Sequence, residues 1–148
     1  SWFDWTLAQK NEGLVRFASN LIQLRRNHPV FRRTEFFGTE KDSASEISWF
    51  DNNAKVLDWS NTKRFLGFKL SDSSVNDNDF YVATNMDIYD LTITLPTLTG
   101  NKKWYRVADT SFESPEDITE SGFEELLTEQ RRYVLVAGSS IVLMSKDS

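Results

Sequence analysis

Cysteine is absent from this 148-residue chain and histidine occurs once. The first absence excludes a disulfide framework, a thiolate zinc site and a cysteine nucleophile. The second forces any Ser-His-Asp triad to run through His28. Only six glycines are present and they stand singly, so there is no glycine-rich loop to cradle a phosphate. No stretch approaches the ~20 apolar residues that span a bilayer. Positive charge is in deficit as well, with 17 Lys plus Arg against 22 Asp plus Glu and a net charge of -5. That balance opposes the electrostatic attraction on which nucleic-acid and anionic-membrane binding depend, so neither is an expected partner.

What is present is a chain near the commonest single-domain length, with 14% aromatic residues. A chain of this size buries roughly two-thirds of its unfolded surface and needs no covalent staple. It opens Ser1-Trp2-Phe3-Asp4-Trp5, with no initiator Met and no leader of basic, apolar and small-residue regions. Such a start reads as the interior of a longer protein.

Leu14, Phe17, Ala18 and Leu21 recur at helical spacing, with Ile22 and Leu24 widening the stripe. The pattern predicts one long amphipathic helix over about 11–27. Asn11 is its expected N-cap and Glu12 suits the positive end of the dipole. Arg25, Arg26 and His28 suit the other end, where Pro29 stops the helix.

Beyond Pro29 the period changes from 3.6 to 2. Strands are predicted at Ser45–Asp51, Lys63–Leu70, Asp79–Asn85, Tyr89–Leu95, Trp104–Asp109, Arg132–Ala137 and Ser139–Met144. Without long helices between them, they imply an antiparallel β-sandwich, so the fold class is all-β with one preceding helix. Residues Tyr133–Met144 read as a terminal hairpin turning near Gly138, apolar on both faces and therefore central. Ser71–Asn78 reads as a solvated acidic turn. Within Thr110–Gln130, Ser114-Pro115-Glu116-Asp117 resembles a helix start, and Phe123, Leu126 and Leu127 suggest that this connection packs down.

Chemistry is hard to find in these residues. His28 fits a cation at a helix end, with no nucleophile near it in the sequence. Asp72, Asp77 and Asp79 lack the glycine and distal glutamate of a calcium loop, so no metal and no cofactor is expected. Twenty-two acids form many chance pairs, which makes a carboxylate pair uninformative about glycoside hydrolysis. Trp49, Trp59 and Trp104 are candidate platforms for sugar rings, although sandwich cores also use tryptophan.

A series of segments in fixed order is more telling. Ser1-Trp2-Phe3-Asp4-Trp5 comes first, then Leu21-Ile22-Gln23-Leu24-Arg25-Arg26-Asn27-His28-Pro29-Val30-Phe31-Arg32-Arg33. Ile47-Ser48-Trp49, Asp58-Trp59-Ser60, Tyr81-Val82-Ala83-Thr84-Asn85-Met86 and Leu95-Pro96 follow. Trp104-Tyr105-Arg106-Val107-Ala108-Asp109-Thr110, with Ser114-Pro115-Glu116-Asp117-Ile118 after it, is the most specific. From residue 1 to about 144 this order resembles the carboxyl-terminal part of isoamylase-type glycogen debranching enzymes, members of the α-amylase superfamily of glycoside hydrolases.

The resemblance implies a division. Residues 1–30 would end a (β/α)8 catalytic barrel, and 31–148 would form the C-terminal β-sandwich. These enzymes hydrolyse α-1,6 branch linkages of glycogen or related α-glucans, using two Asp and one Glu carried on earlier barrel strands. No catalytic residue is then expected here, and this chain alone should be inactive. Trp2 and Asp4 follow the last barrel strand on the substrate side, so a contribution to substrate binding is one reading; a packing Trp and a capping Asp is the other. The implied partners are α-glucan, met through the parent enzyme, and the missing barrel. The stripe Leu14, Phe17, Ala18 and Leu21 would pack on the barrel wall there; in this chain it is expected to fold back or drive self-association. The implied location is bacterial cytoplasm, or a plastid for a plant protein. Alternatives are a carbohydrate-binding module acting through exposed aromatics, a subunit-joining domain, and the sandwich of a pullulanase, branching or trehalose-forming relative.

Overall fold

In a computed structural model the described residues are 4–32, 45–60, 64–73 and 77–147. The chain enters through a short helix α1 (Thr6–Lys10) and a long helix α2 (Glu12–Asn27). A single 3₁₀ turn, Pro29–Phe31, follows. Asn11 stands between the helices as expected, but its side chain does not cap α2. Its amide reaches back to the carbonyl of Leu7 at 2.8 Å, so it closes α1 instead. Arg25 and Arg26 fall in the last turn of α2, and His28 turns extended ahead of Pro29.

Eight strands follow among the described residues: β1 (Ser45–Phe50), β2 (Phe65–Asp72), β3 (Phe80–Asn85), β4 (Leu91–Thr94), β5 (Lys102–Asp109), β6 (Glu125–Leu126), β7 (Arg132–Leu135) and β8 (Ser140–Asp147). They form a six-stranded antiparallel sheet in the order β1-β2-β3-β8-β5-β6 and a two-stranded sheet of β4 and β7. Every sequence-predicted strand is present in outline, although the start at Lys63 lies outside the described residues. Only the two-residue edge strand β6 went unforeseen, since two residues display no period.

The terminal hairpin does not form. β7 pairs with β4 in the small sheet, whereas β8 pairs with β3 and β5 at the centre of the large one. Gly138, at φ +69°, turns the chain from one sheet to the other. The difference lies in burial. β8 alternates between two covered faces, while Val134 on β7 points to solvent. Apolar residues on both sides of the turn therefore mark one central strand and one outer strand.

The main core lies between the sheets. Phe65, Tyr81, Ala83, Trp104, Ile141 and Leu143 from the large sheet meet Ile93, Leu95 and Leu135 from the small one. Trp104 is fully buried; its indole N–H donates to the carbonyl of Pro96 at 2.9 Å, satisfying the one polar atom of that ring. The opposite face of the large sheet is also covered. There Leu70, Phe80, Val107 and Met144 pack against Val30, with Leu24 and Phe31 joining from the helical segment. Phe31 lies 4.6 Å from Phe80, ring to ring. The large sheet is thus the middle of three layers.

The long connection between β5 and β7 also departs from expectation. Ser114–Asp117 is a turn and not a helix start, with the amide of Glu116 bonded to the carbonyl of Glu113 at 2.9 Å. The backbone is drawn away from helical geometry because Ile118 pairs with Ala108 and Thr119 donates to Val107. Ile118 and Leu127 anchor the connection in the core, while Phe123 and Leu126 face solvent.

Candidate functional site

A cleft of about 430 Å³ lies where three loops meet beside β2, β3 and β4. Its floor is Phe65 and Leu91, and its polar lining is Asn52, Arg64, Asn85, Asp87 and Asp90, with Tyr89 at the rim. Asn85 is buried and holds the rim in shape. Its Nδ2 donates to the carbonyls of Tyr89 (2.9 Å) and Leu135 (3.1 Å), and its Oδ1 accepts the amide of Asp87 at 3.0 Å. Asp90 accepts the amide of Ala137 at 3.0 Å, which ties the rim to the segment after β7. On the other side, Asp51 Oδ1 accepts the amides of Asn53 (2.8 Å) and Lys55 (3.0 Å) and so fixes the loop that carries Asn52. The carbonyl of Asn52 bonds Thr94 at 2.9 Å. The buried side-chain oxygen of Asn52 finds no hydrogen-bond partner among the described residues.

Chemically the cleft offers acceptors on Asn52, Asp87 and Asp90, a permanent donor fork on Arg64, and an aromatic ring. None of these residues was singled out from the sequence. The signal available was Asn85-Met86-Asp87-Ile88-Tyr89-Asp90, a polar turn in which Met86, Ile88 and Tyr89 are nonetheless all exposed.

The residues that were singled out lie elsewhere. Trp2 falls outside the described residues. Asp4 is exposed and accepts both the amide (3.0 Å) and the hydroxyl (2.6 Å) of Thr6, which folds the chain into α1. Those bonds, the hydroxyl's first, hold the Asp4 carboxyl below its ordinary range. Of the three candidate tryptophans, Trp104 is core and Trp49 is half-buried, while Trp59 is 68% exposed and stands edge-on to Trp49 at 5.3 Å.

His28 is not poised for catalysis. Its Nδ1 lies 2.6 Å from Asp77 Oδ1, and its ring sits edge-on to Phe80 at 4.8 Å. Asp77 also accepts the amide of Val30 at 3.2 Å, so the pair fastens the helical segment to the sheet. The acidic turn is accordingly less solvated than expected: Asp72 is buried, the Asp77 side chain is covered by His28, and Asp79 is half-buried. Residues 74–76 of that turn lie outside the described residues. Among the described residues no group of three or more His, Cys, Asp or Glu is placed to hold a metal ion.

Glu124 and Asp58, like Asp4, are carboxyls displaced below their ordinary value. Burial pushes Glu124 up, but the bond from Lys146 at 2.6 Å, with two backbone amides, outweighs burial and leaves it lowered. Asp58 is lowered by the hydroxyl of Ser60 at 2.6 Å and by its amide. A general acid for glycoside cleavage needs the opposite displacement, because it must keep its proton near neutral pH.

The helix stripe does not fold back on the sandwich. Leu14 is 68% exposed, Ile22 56%, and Leu21 and Ala18 also face solvent; only Phe17 is half-buried. α2 docks instead through Gly13, Arg16, Asn20 and Leu24, a face about a quarter-turn away. Gly13 lies close against Ser114, where an added Cβ would come within 3.1 Å of the serine Cβ. Arg16 reaches the carbonyl of Ile118 at 3.1 Å and Asp117 at 3.4 Å. No helix among the described residues is long and apolar enough to cross a membrane.

Comparison with known proteins agrees with this architecture. Residues 48–144 match the family described as "Isoamylase 1-3, C-terminal". The chain is 31% identical over 146 residues, 97% of its length, to "Isoamylase 3, chloroplastic" of Oryza sativa subsp. japonica. It is 33% identical over 113 residues, 73% of its length, to "Isoamylase" of Pseudomonas amyloderamosa. To "Glycogen operon protein GlgX homolog" of Mycobacterium tuberculosis (strain ATCC 25618 / H37Rv) it is 28% identical over 129 residues, 75% of its length. The chain spans only 17%, 14% and 18% of the respective relatives. The match covers every strand from the end of β1 to β8, and the chain belongs to the isoamylase C-terminal domain family.

Proposed function

We propose that this chain is the non-catalytic C-terminal region of a debranching glycoside hydrolase acting on α-1,6 branch linkages of glycogen or related α-glucans. The observation that carries the reading is the match over residues 48–144 to an isoamylase C-terminal domain, on a fold whose core those residues build. Residues 1–30 are the terminal segment of the catalytic barrel, and 31–148 the sandwich that covers it. The stripe at Leu14, Phe17, Ala18 and Leu21 faces the rest of the parent enzyme, and Trp2 and Asp4 lie at the margin of its substrate cleft. The exposure of Leu14, Leu21 and Ile22 supports that orientation, because apolar side chains on one helix face are a surface built to be covered. The parent works in bacterial cytoplasm, or in a plastid if its source is a plant.

The test is an assay for new reducing ends on branched glucan. The 148-residue chain should release none above background, and the full-length enzyme should release them from glycogen. Activity of this chain alone would overturn the assignment of catalysis to the barrel. A full-length enzyme that leaves α-1,6 branches intact would overturn the reading as a whole.

A further inference from the structure

We infer that the cleft between the Asn52 loop and the Asn85–Asp90 rim is a glucan-binding site, separate from the place where the parent enzyme cleaves; the assignment of an α-linked glucan rests on the proposed function. Three observations converge on a sugar. The volume of about 430 Å³ lies within the ~300–1,000 Å³ of small-ligand clefts. The rim is held in place by bonds from Asn85 to Tyr89 and Leu135, from Asp87 to Asn85 and from Ala137 to Asp90, so little ordering remains to be done on binding. Its groups are mixed: Tyr89 presents a ring that is 72% exposed, Asp87 and Asp90 accept, Arg64 donates, and the buried Asn52 oxygen finds no partner among the described residues.

An anionic ligand meets two carboxylates, and a cation meets Arg64. A neutral ligand carrying both donors and acceptors, with one apolar face, fits all of them. A pyranose ring is such a ligand: its C–H face stacks on an aromatic ring while its hydroxyls bridge acids, amides and guanidinium. A buried acceptor left unmet is destabilising, and a sugar hydroxyl bonded to Asn52 Oδ1 removes that cost. The site serves to hold a glucan chain near the enzyme, and Tyr89 is its stacking platform.

Titration of the 148-residue chain with maltoheptaose, followed by amide chemical shifts, tests this. Saturable shifts are expected at Asn52, Asp87 and Tyr89. Tyr89→Ala should weaken binding about tenfold, and Tyr89→Phe should retain it within about twofold, because the ring and not the hydroxyl stacks. The exposed position leaves the melting temperature of both variants unchanged, so a loss of binding is not a loss of folding. Cellohexaose, its β-linked counterpart, should give no saturable shift. The proposal is overturned by shifts that saturate at Trp49 and Trp59 instead, by wild-type affinity in Tyr89→Ala, by no saturable shift, or by equal binding of cellohexaose. Reducing-end release by the full-length enzyme is read separately. An inactive wild-type parent refutes the function and not the cleft.

Discussion

Asp4, Asp58 and Asp109 each accept both the amide and the hydroxyl of a Thr or Ser two residues later. The short side chain reaches only its near neighbours, so at these three places Asp-x-Ser/Thr folds the backbone into a turn. A tighter constraint acts at Gly67. A Cβ added there would fall 2.7 Å from the hydroxyl of Tyr81, an oxygen that is itself buried without a partner among the described residues. Gly67→Ala should therefore destabilise the protein by about 1–3 kcal/mol and lower Tm by several degrees. Tyr81→Phe, which removes the obstructing atom, should be close to neutral alone and should restore at least half of the loss in the double variant. Thermal melts of the four proteins check this; independent, additive effects would show that the contact is not the cause.

Among the elements, α2 illustrates the difference between an apolar stripe and a docking face. Leu24 packs into the cluster around Val30, Phe80 and Met144, whereas Leu14 points outward. Leu24→Ala should cost about 2 kcal/mol, and Leu14→Ala should stay within about 0.5 kcal/mol, in chemical denaturation of the 148-residue chain. In the full-length enzyme the contrast should shrink, because the stripe is covered there under the proposed function. Equal large losses in the isolated chain would mean that Leu14 is buried after all. The periodicity at 14, 17, 18 and 21 correctly marks an amphipathic helix. It does not say which face docks on the rest of the molecule, since contact with the Ser114–Thr119 turn calls for a glycine, an arginine and an asparagine that no hydrophobic pattern registers.

At the scale of the whole molecule the two sheets are joined by the core and by polar locks, the bond from Asn85 to Leu135 and one at Tyr133. Tyr133 on the small sheet donates its hydroxyl to Asp109 on the large sheet. Burial first, then the bond to Asp109 and the charge of that carboxylate, push the Tyr133 phenol above its ordinary value of 10.0. Its folded form therefore keeps the proton at pH values where the unfolded chain has lost it. The stability contributed is complete below pH 10.0 and declines as pH rises past it. Tyr81 adds to the same alkaline decline, chiefly through burial. Tyr133→Phe should lower Tm at pH 8 by leaving an Asp109 oxygen without its donor, yet should flatten the fall in Tm between about pH 9 and pH 11. Parallel melts at those pH values check the sign; an unaltered slope would remove Tyr133 from the alkaline transition.

The absence of cysteine and the switch of period at Pro29 were sufficient to establish one long helix followed by antiparallel strands, and to exclude thiol chemistry; the short helix α1 ahead of it was not foreseen. Those properties are local: they follow from residue type and from a spacing of 3.6 or 2. Tertiary structure decided where each face went. It separated β7 from β8 into different sheets, drew Ser114–Asp117 out of a helix, buried Asp77 against His28, and left the helix stripe facing outward. It also brought together Asn52, Arg64, Asp87 and Tyr89, which lie up to one loop and two strands apart in the chain. A cleft is made by long-range pairing of strands, and no window of sequence contains the register that closes it.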